Sequence, residues 1–377
     1  MKKATLMGLA GAALLCACQP AQRPGTVSGT LTDIGNDTLL ATSIPMDGSK
    51  DKERVKDTLV LQEGKFMFQA PCDTVPYQII LHTPQDKLNY LELVLLPGES
   101  LTVSGTTSDY RVEGSPFNTA LQQILDTLRP YERKVYALSD TMFRLEKEQG
   151  KKAKEKVRKI YTESYRPALE QMMDVRRNYV KRHPDNDVSL YLLSMMGLGN
   201  IRELLPTLAD EVKNGPLAPL YRTFENSIKV ADKREAAQKR IKKGIEAPDF
   251  TLKNLQDQPF TLSTLRGKYV VLDFWGSWCG SCIADIPKMK EYYKKYKDKL
   301  EILGIDCRDT EEKWKAAVEK HKIPWLHVRN EDNPDVSLLY GIQAYPTKIV
   351  IDPAGKIAKI VLGEGPAFYE YLDKLFN

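Results

Sequence analysis

The chain has 377 residues, 42% hydrophobic and 28% charged, long enough for two or three domains and apolar enough to bury their cores without a disulfide framework. The formal net charge of +5 falls to +3 once residues 1–17, which hold Lys2 and Lys3 and no acid, are set aside. So weak a balance carries no electrostatic footprint for nucleic acid. Lysines cluster in 150–160 and 288–299, but acids are interleaved, and both runs read as solvated helix faces.

Lys2 and Lys3 precede an apolar run from Ala4 to Leu15. A basic start, a short apolar stretch and small residues at its exit describe a secretory signal. Coiled as a helix, the run reaches about 18 Å, short of a hydrocarbon core of about 30 Å. The exit resembles a bacterial lipobox, with Leu15 at −3, Ala17 at −1 and Cys18 at +1. Cys16 fits worse, because Leu15 would then stand where a small residue is wanted. The resemblance implies a signal over 1–17, a lipidated Cys18, and anchorage to the inner or outer membrane of the cell envelope, facing the periplasm. Ordinary cleavage near Ala17, leaving Cys18 free, is the alternative. No other segment has the apolar length of a spanning helix.

Residues 18–25 have no apolar period and read as a tether. Strand signals follow at Val27–Leu31, Asp57–Gln62, Lys65–Phe68, Tyr77–His82, Leu91–Leu96 and Ser100–Ser104, several of them bounded by turn residues. Short alternating strands at this spacing predict an all-β module over 26–114, a sandwich or barrel. From Ser115 the period changes: Leu121, Ile124, Leu125, Leu128, Tyr131, Val135 and Leu138 recur at helical spacing, and a charged helix follows from about Lys151 to Arg182. Shorter helices are expected at Asp187–Met196, Ile201–Asn214 and Leu217–Ile228, and a basic segment, Asp232–Lys243, closes a helical region over 115–243. Met172, Met173, Met195 and Met196 read as core packing, and no cofactor constellation is visible there.

From Gly244 to the end, strands and helices alternate: strands Tyr269–Trp275 and Glu301–Asp306, helices Cys282–Lys297 and Thr310–His321, strands Lys348–Asp352 and Ile357–Leu362, and a closing helix Ala367–Leu375. This predicts a third domain, 244–377, with an α/β sheet of mixed direction. Trp278-Cys279-Gly280-Ser281-Cys282 falls where an apolar strand ends and a helix begins. Cys279 then sits at a helix N-terminus, where free backbone N–H groups and the macrodipole favour a thiolate. Cys282, one turn on and expected to be the less accessible, is placed to resolve a mixed disulfide formed on Cys279. Of six cysteines, Cys16 and Cys18 belong to the signal exit, and Cys72 and Cys307 stand alone. The pair is therefore there for chemistry.

Val271–Cys282 (VLDFWGSWCGSC) resembles the active-site strand and loop of the thioredoxin superfamily. With Ala247–Leu252 (APDFTL), Leu265–Lys268 (LRGK), Cys282–Pro287 (CIADIP), Tyr345–Thr347 (YPT) and Ile351–Lys356 (IDPAGK), residues 246–377 resemble the extracytoplasmic TlpA/ResA-like reductases, relatives of the AhpC/TSA group. The upstream arrangement resembles that of many Bacteroidota lipoproteins. The resemblance implies a thioredoxin fold and a redox-active Cys279–Cys282 disulfide, with no cofactor. Asp273 matches the buried carboxylate that exchanges a proton with the resolving thiol, and an apolar strand should raise its pKa. Asp285 stands where the family usually has Glu; a proton role or a simple helix-start acid both fit. Pro287 fits a helix kink, Trp275, Trp278 and Tyr345 would pack around the site, and Pro346 matches a cis-proline facing the disulfide. Its implied partners are disulfide-containing envelope proteins and an upstream electron donor.

Zinc binding would need a second ligand pair, which His82, His183, His321 and His327 do not supply. A peroxiredoxin would place Thr or Ser where Gly276 stands. Two readings remain open beside a reductase: an oxidase or isomerase using the same pair, and a non-enzymatic binding lipoprotein. Ser281, in place of the commoner proline, loosens the turn and should make the pair somewhat less reducing.

Overall fold

The computed structural model describes residues 25–48, 54–70, 72, 74–85, 90–331 and 333–377. The expected signal, Cys18 and all of the tether but Gly25 lie outside the described residues. Those described form two compact units that divide between Glu225 and Asn226. Among them, no helix is long and apolar enough to cross a membrane.

The first unit opens with eight strands: β1 (Gly25–Leu31), β2 (Thr38–Pro45), β3 (Val55–Val60), β4 (Lys65–Ala70), β5 (Tyr77–His82), β6 (Tyr90–Leu95), β7 (Ser100–Gly105) and β8 (Tyr110–Glu113). They make two four-stranded sheets, ordered β4-β1-β7-β8 and β3-β2-β5-β6. All neighbours are antiparallel except β1 and β7. Alternate side chains of both sheets, among them Val27, Leu31, Leu101 and Val103 from one and Leu39, Ile79, Leu81 and Leu93 from the other, enter one buried core. The strands β2 and β8 were not expected from the sequence.

The other face of β6 is buried too, since Glu92 and Val94 are covered. Helix α1 (Pro116–Gln149) supplies Asn118, whose amide accepts from Val94 N (3.0 Å) and donates to Val94 O (2.7 Å). Ser115 caps α1 through its side chain, and Pro116 starts it where no N–H is needed. The expected second helix is broken into α2 (Lys154–Ile160), a π turn at Tyr161–Tyr165 and α3 (Arg166–Arg182). Next come α4 (Asp187–Ser194), α5 (Leu198–Leu204) and α6 (Asp210–Lys213). Pro206 lacks the N–H a helix would use, which is why Ile201–Asn214 is two helices and not one.

Helix α7 (Ala218–Arg240) runs through the division, well past the expected end at Ile228, and Asp232–Arg240 is helical. Its last turns belong to the second unit, where Gln238 Nε2 donates to Gly341 O (2.9 Å) and Arg240 to Leu339 O (3.2 Å). Tertiary bonds thus hold a helix that the polar sequence did not announce.

The second unit contains β9 (Thr251–Asn254), β10 (Pro259–Thr261), β11 (Tyr269–Trp275), α8 (Gly280–Tyr296), β12 (Leu300–Asp306), α9 (Glu311–Lys320), β13 (Leu326–Arg329), α10 (Val336–Leu339), β14 (Thr347–Ile351), β15 (Ile357–Leu362) and α11 (Pro366–Phe376). One seven-stranded sheet runs β10-β9-β13-β12-β11-β14-β15, with β11, β12 and β13 parallel and the remaining pairs antiparallel. This is the mixed central sheet of a thioredoxin fold. Both faces are covered: Leu272, Phe274 and Ile349 pack into one buried cluster, and Val271, Trp275 and Val350 into the other with α8 and α11. The short strands β9, β10 and β13 were not expected.

Candidate active site

Cys279 and Cys282 form a disulfide at the start of α8. Cys279 is the N-cap: its backbone is extended, and its sulfur accepts from Cys282 N at 3.2 Å. The sulfur therefore lies on the free N–H groups of the first turn, the place where the dipole stabilises a thiolate. Exposure does not separate the two sulfurs as expected, because Cys279 is 6% and Cys282 5% accessible. Capping geometry, not exposure, distinguishes the two cysteines. Ser281 Oγ stands 3.5 Å from Cys279 Sγ.

Strand alternation decides what lies behind the pair. Asp273 shares a face with Val271 and Trp275, which belong to the same buried cluster as both cysteines. It is 6% accessible, and directly across the ladder on β14 stands Lys348, itself 1% accessible. The Lys348 ammonium lies 3.6 Å from Asp273 and 2.8 Å from Asp285, which projects from the second turn of α8. Tyr369 of α11 donates to Asp285 at 2.6 Å, and Phe368 lays its ring 5.5 Å from the ammonium. Asp285 thus lies beyond the first turn of α8, tied to Lys348 and Tyr369, and is not a first-turn helix acid. Neither Lys348 nor Tyr369 was singled out from sequence.

Burial pushes the Asp273 carboxyl above the usual carboxylate range; Lys348 pulls it back and Asp285 adds to the rise. Burial works against the Lys348 ammonium, but the two carboxylates together outweigh it and hold its pKa above the ordinary lysine value. The site thus keeps one cation between two acids, one of which has its proton affinity raised by burial.

The Tyr345–Pro346 bond is cis, and Tyr345 packs against the buried cluster that holds both cysteines. Tyr345 makes no backbone hydrogen bond among the described residues, while Pro346 O accepts from Gly363 N. The Tyr345 ring meets Trp278 edge-on at 5.2 Å. Trp278 is 48% exposed, and its indole N–H donates to Cys307 O at 2.9 Å. Gly276 makes that contact possible, since a Cβ there would fall 2.4 Å from the indole nitrogen. Trp275 is buried, with His327 5.7 Å away. The loop is held from the segment after β12 as well: Asp309 accepts from Ser277 N (2.6 Å) and Ser277 Oγ (2.7 Å). Cys307 is a free, buried thiol, and burial pushes its pKa up; Cys72 is buried in the first unit, where its thiol donates to Leu95 O (3.1 Å).

A cysteine pair bridged at a helix N-terminus, with buried acids beside it and the Tyr345 of a cis-proline loop packed on the same cluster, defines a thiol–disulfide exchange site on a thioredoxin fold. Residues 244–360 match the AhpC/TSA family. The thiol-disulfide oxidoreductase ResA of Bacillus thuringiensis (strain Al Hakam) is 34% identical over 130 residues, covering 34% of this chain and 75% of the relative. The thioredoxin-like protein YneN of Bacillus subtilis (strain 168) is 32% identical over 128 residues, covering 33% and 73%. A crystal structure of the thioredoxin domain of a Bacteroides vulgatus thiol-disulfide oxidoreductase is 34% identical, covers 36% of this chain and 99% of its own, and has a TM-score of 0.34. Through its C-terminal unit the chain belongs to the ResA-like thiol-disulfide oxidoreductases.

Proposed function

We propose that the protein reduces disulfides of cell-envelope proteins, from a position outside the cytoplasm and tethered through a lipid on Cys18. The observation that carries this reading is the disulfide-bonded pair at the N-terminus of α8, backed by the buried Asp273–Lys348–Asp285 cluster. Export and anchorage rest on the basic, apolar and small-residue order of residues 1–18.

In the reduced protein, the Cys279 thiolate attacks one sulfur of a client disulfide. A Cys279–client bond forms, the client S–S bond breaks, and the second client sulfur leaves as a thiolate. Cys282 then gives its proton to Asp273 and attacks Cys279 Sγ. The mixed disulfide breaks, the first client sulfur leaves, and the Cys279–Cys282 bond closes. Two electrons have passed to the client, and an upstream dithiol donor returns them. Tyr345, with its backbone free beside Pro346, offers an extended client segment a strand partner. The family allows oxidation or isomerisation with the same sulfurs; Ser281 beside Cys279 favours a potential somewhat above that of thioredoxin.

The test is trapping. Cys282→Ala should accumulate mixed disulfides with envelope proteins on Cys279, identifiable by mass spectrometry, whereas Cys279→Ala should trap few. A reversed pattern would remove the helix-terminus argument and both cysteine assignments together.

A further inference from the structure

Arg308 follows Cys307 directly, on the loop after β12, with an exposed side chain and a backbone φ of +73°. That is the left-handed region, where glycine is at home and a long L side chain is strained. The strained backbone holds the guanidinium over the ring of Trp278 at 5.7 Å and that of Tyr345 at 5.4 Å. These two residues immediately precede Cys279 and Pro346 in the chain. The acids nearest in sequence are already engaged: Asp309 accepts both bonds from Ser277, and Asp306 is fully buried. Arg308 has no ion pair among the described residues. Its position is fixed by two aromatic faces, and the planar fork of N–H donors is left without an anion.

We propose that Arg308, on the Trp278–Tyr345 platform, reads the client, selecting disulfides that have an acidic side chain beside the reacting cysteine. This rests on the oxidoreductase reading above and adds the client's chemistry to it. A carboxylate on a segment lying along the Tyr345 backbone meets the guanidinium as a bidentate, charge-assisted partner. The aromatic rings beneath keep the cation from swinging into solvent, so less order is lost when the pair forms.

The experiment uses the full chain, reduced, and three otherwise identical disulfide peptides with Glu, Gln or Lys flanking the attacked cysteine on either side. Stopped-flow tryptophan fluorescence gives the second-order rates at low and high salt. The Glu peptide should react about 1.5- to five-fold faster than the Gln peptide, the range an exposed ion pair supplies, and the Lys peptide more slowly than both. High salt should collapse the differences. Arg308→Gly removes the cation at a position whose backbone suits glycine, so folding is not at issue, and should bring the Glu-to-Gln ratio to about one. Arg308→Glu should invert the order, and Arg308→Lys should retain a reduced preference. If the wild-type protein reduces the Gln peptide but shows no charge order, or if Arg308→Gly retains the wild-type ratio, the proposal is overturned while the oxidoreductase reading stands. If it reduces none of the three, both fall.

Discussion

Lys348 is the residue whose removal should tell most about the site. Lys348→Met keeps length and apolar stem but leaves Asp273 and Asp285 facing each other with no cation between them. The ammonium is 2.8 Å from one acid and 3.6 Å from the other, and all three side chains are at most 9% exposed. Breaking a buried pair by deleting one partner costs about 3–5 kcal/mol, because a charge is left uncompensated. For a unit of this size that corresponds to a melting temperature lower by on the order of 10 °C. Denaturant unfolding at fixed m-value measures it. The sign of the pH dependence follows from the acids. Without the ammonium the folded pKa of Asp273, already raised by burial, rises further above its unfolded one, so stability is retained below the unfolded carboxylate range and lost as pH rises through the folded value. The penalty should therefore shrink from pH 8 to pH 5, and Lys348→Met with Asp285→Asn should recover much of it. The pH profile of mixed-disulfide release should also move upward, since Asp273 would hold its proton more tightly. A cost below about 1 kcal/mol at pH 7, or one independent of pH, would show that Lys348 is not the counter-charge of this cluster.

Two further outcomes are expected. Ser281→Pro removes the hydroxyl 3.5 Å from Cys279 Sγ and stiffens the turn, and should make the potential more negative. Equilibration against a glutathione series reads the shift, where about 30 mV corresponds to about 1.4 kcal/mol; an unchanged or higher potential would refute the role given to this side chain. Asp306 is buried with its carboxyl pushed up to about 9, first by burial and then by Asp309. Its folded pKa lies above its unfolded one, so its contribution is complete below about pH 4 and lost as pH rises through 9. Asp306→Asn should flatten the fall in stability between pH 5 and 8 seen in urea titrations, and an unaltered slope would mean that Asp306 is ionised in the fold.

The chemistry was legible because it is local. A continuous apolar strand, a tight loop and a helix start lie within Tyr269–Tyr296, and twelve consecutive residues from Val271 to Cys282 suggest both the fold and the pair. Lys348 was not legible. A lysine in Thr347–Ile351 reads as the polar tooth of a half-exposed strand, and its partners lie 75 and 63 residues away in the chain. Asp285 was ambiguous for the same reason, since its neighbours Lys348 and Tyr369 come from two later elements. Strand β2 escaped because Thr38, Thr42 and Ser43 interrupt its apolar series, although Leu39 and Ala41 face the core. The end of α7 escaped because Asp232–Lys243 shows only Ala237 and Ile241 as apolar anchors, and its helix depends on docking to Leu339 and Gly341.

Strand β1 lies inside its sheet, antiparallel to β4 and parallel to β7. As the chain emerges N-terminus first, from a ribosome or a translocation channel, Gly25–Leu31 comes out before either neighbour exists. Its second edge is not covered until Ser100–Gly105 has followed. The sandwich therefore cannot close by adding hairpins in order; it waits for a strand delivered early to be captured late, between two partners of different direction. Until Lys65–Ala70 emerges β1 presents two unpaired edges, and one of them stays open until Ser100–Gly105 arrives, the condition in which a nascent segment most needs a holdase or a short dwell time.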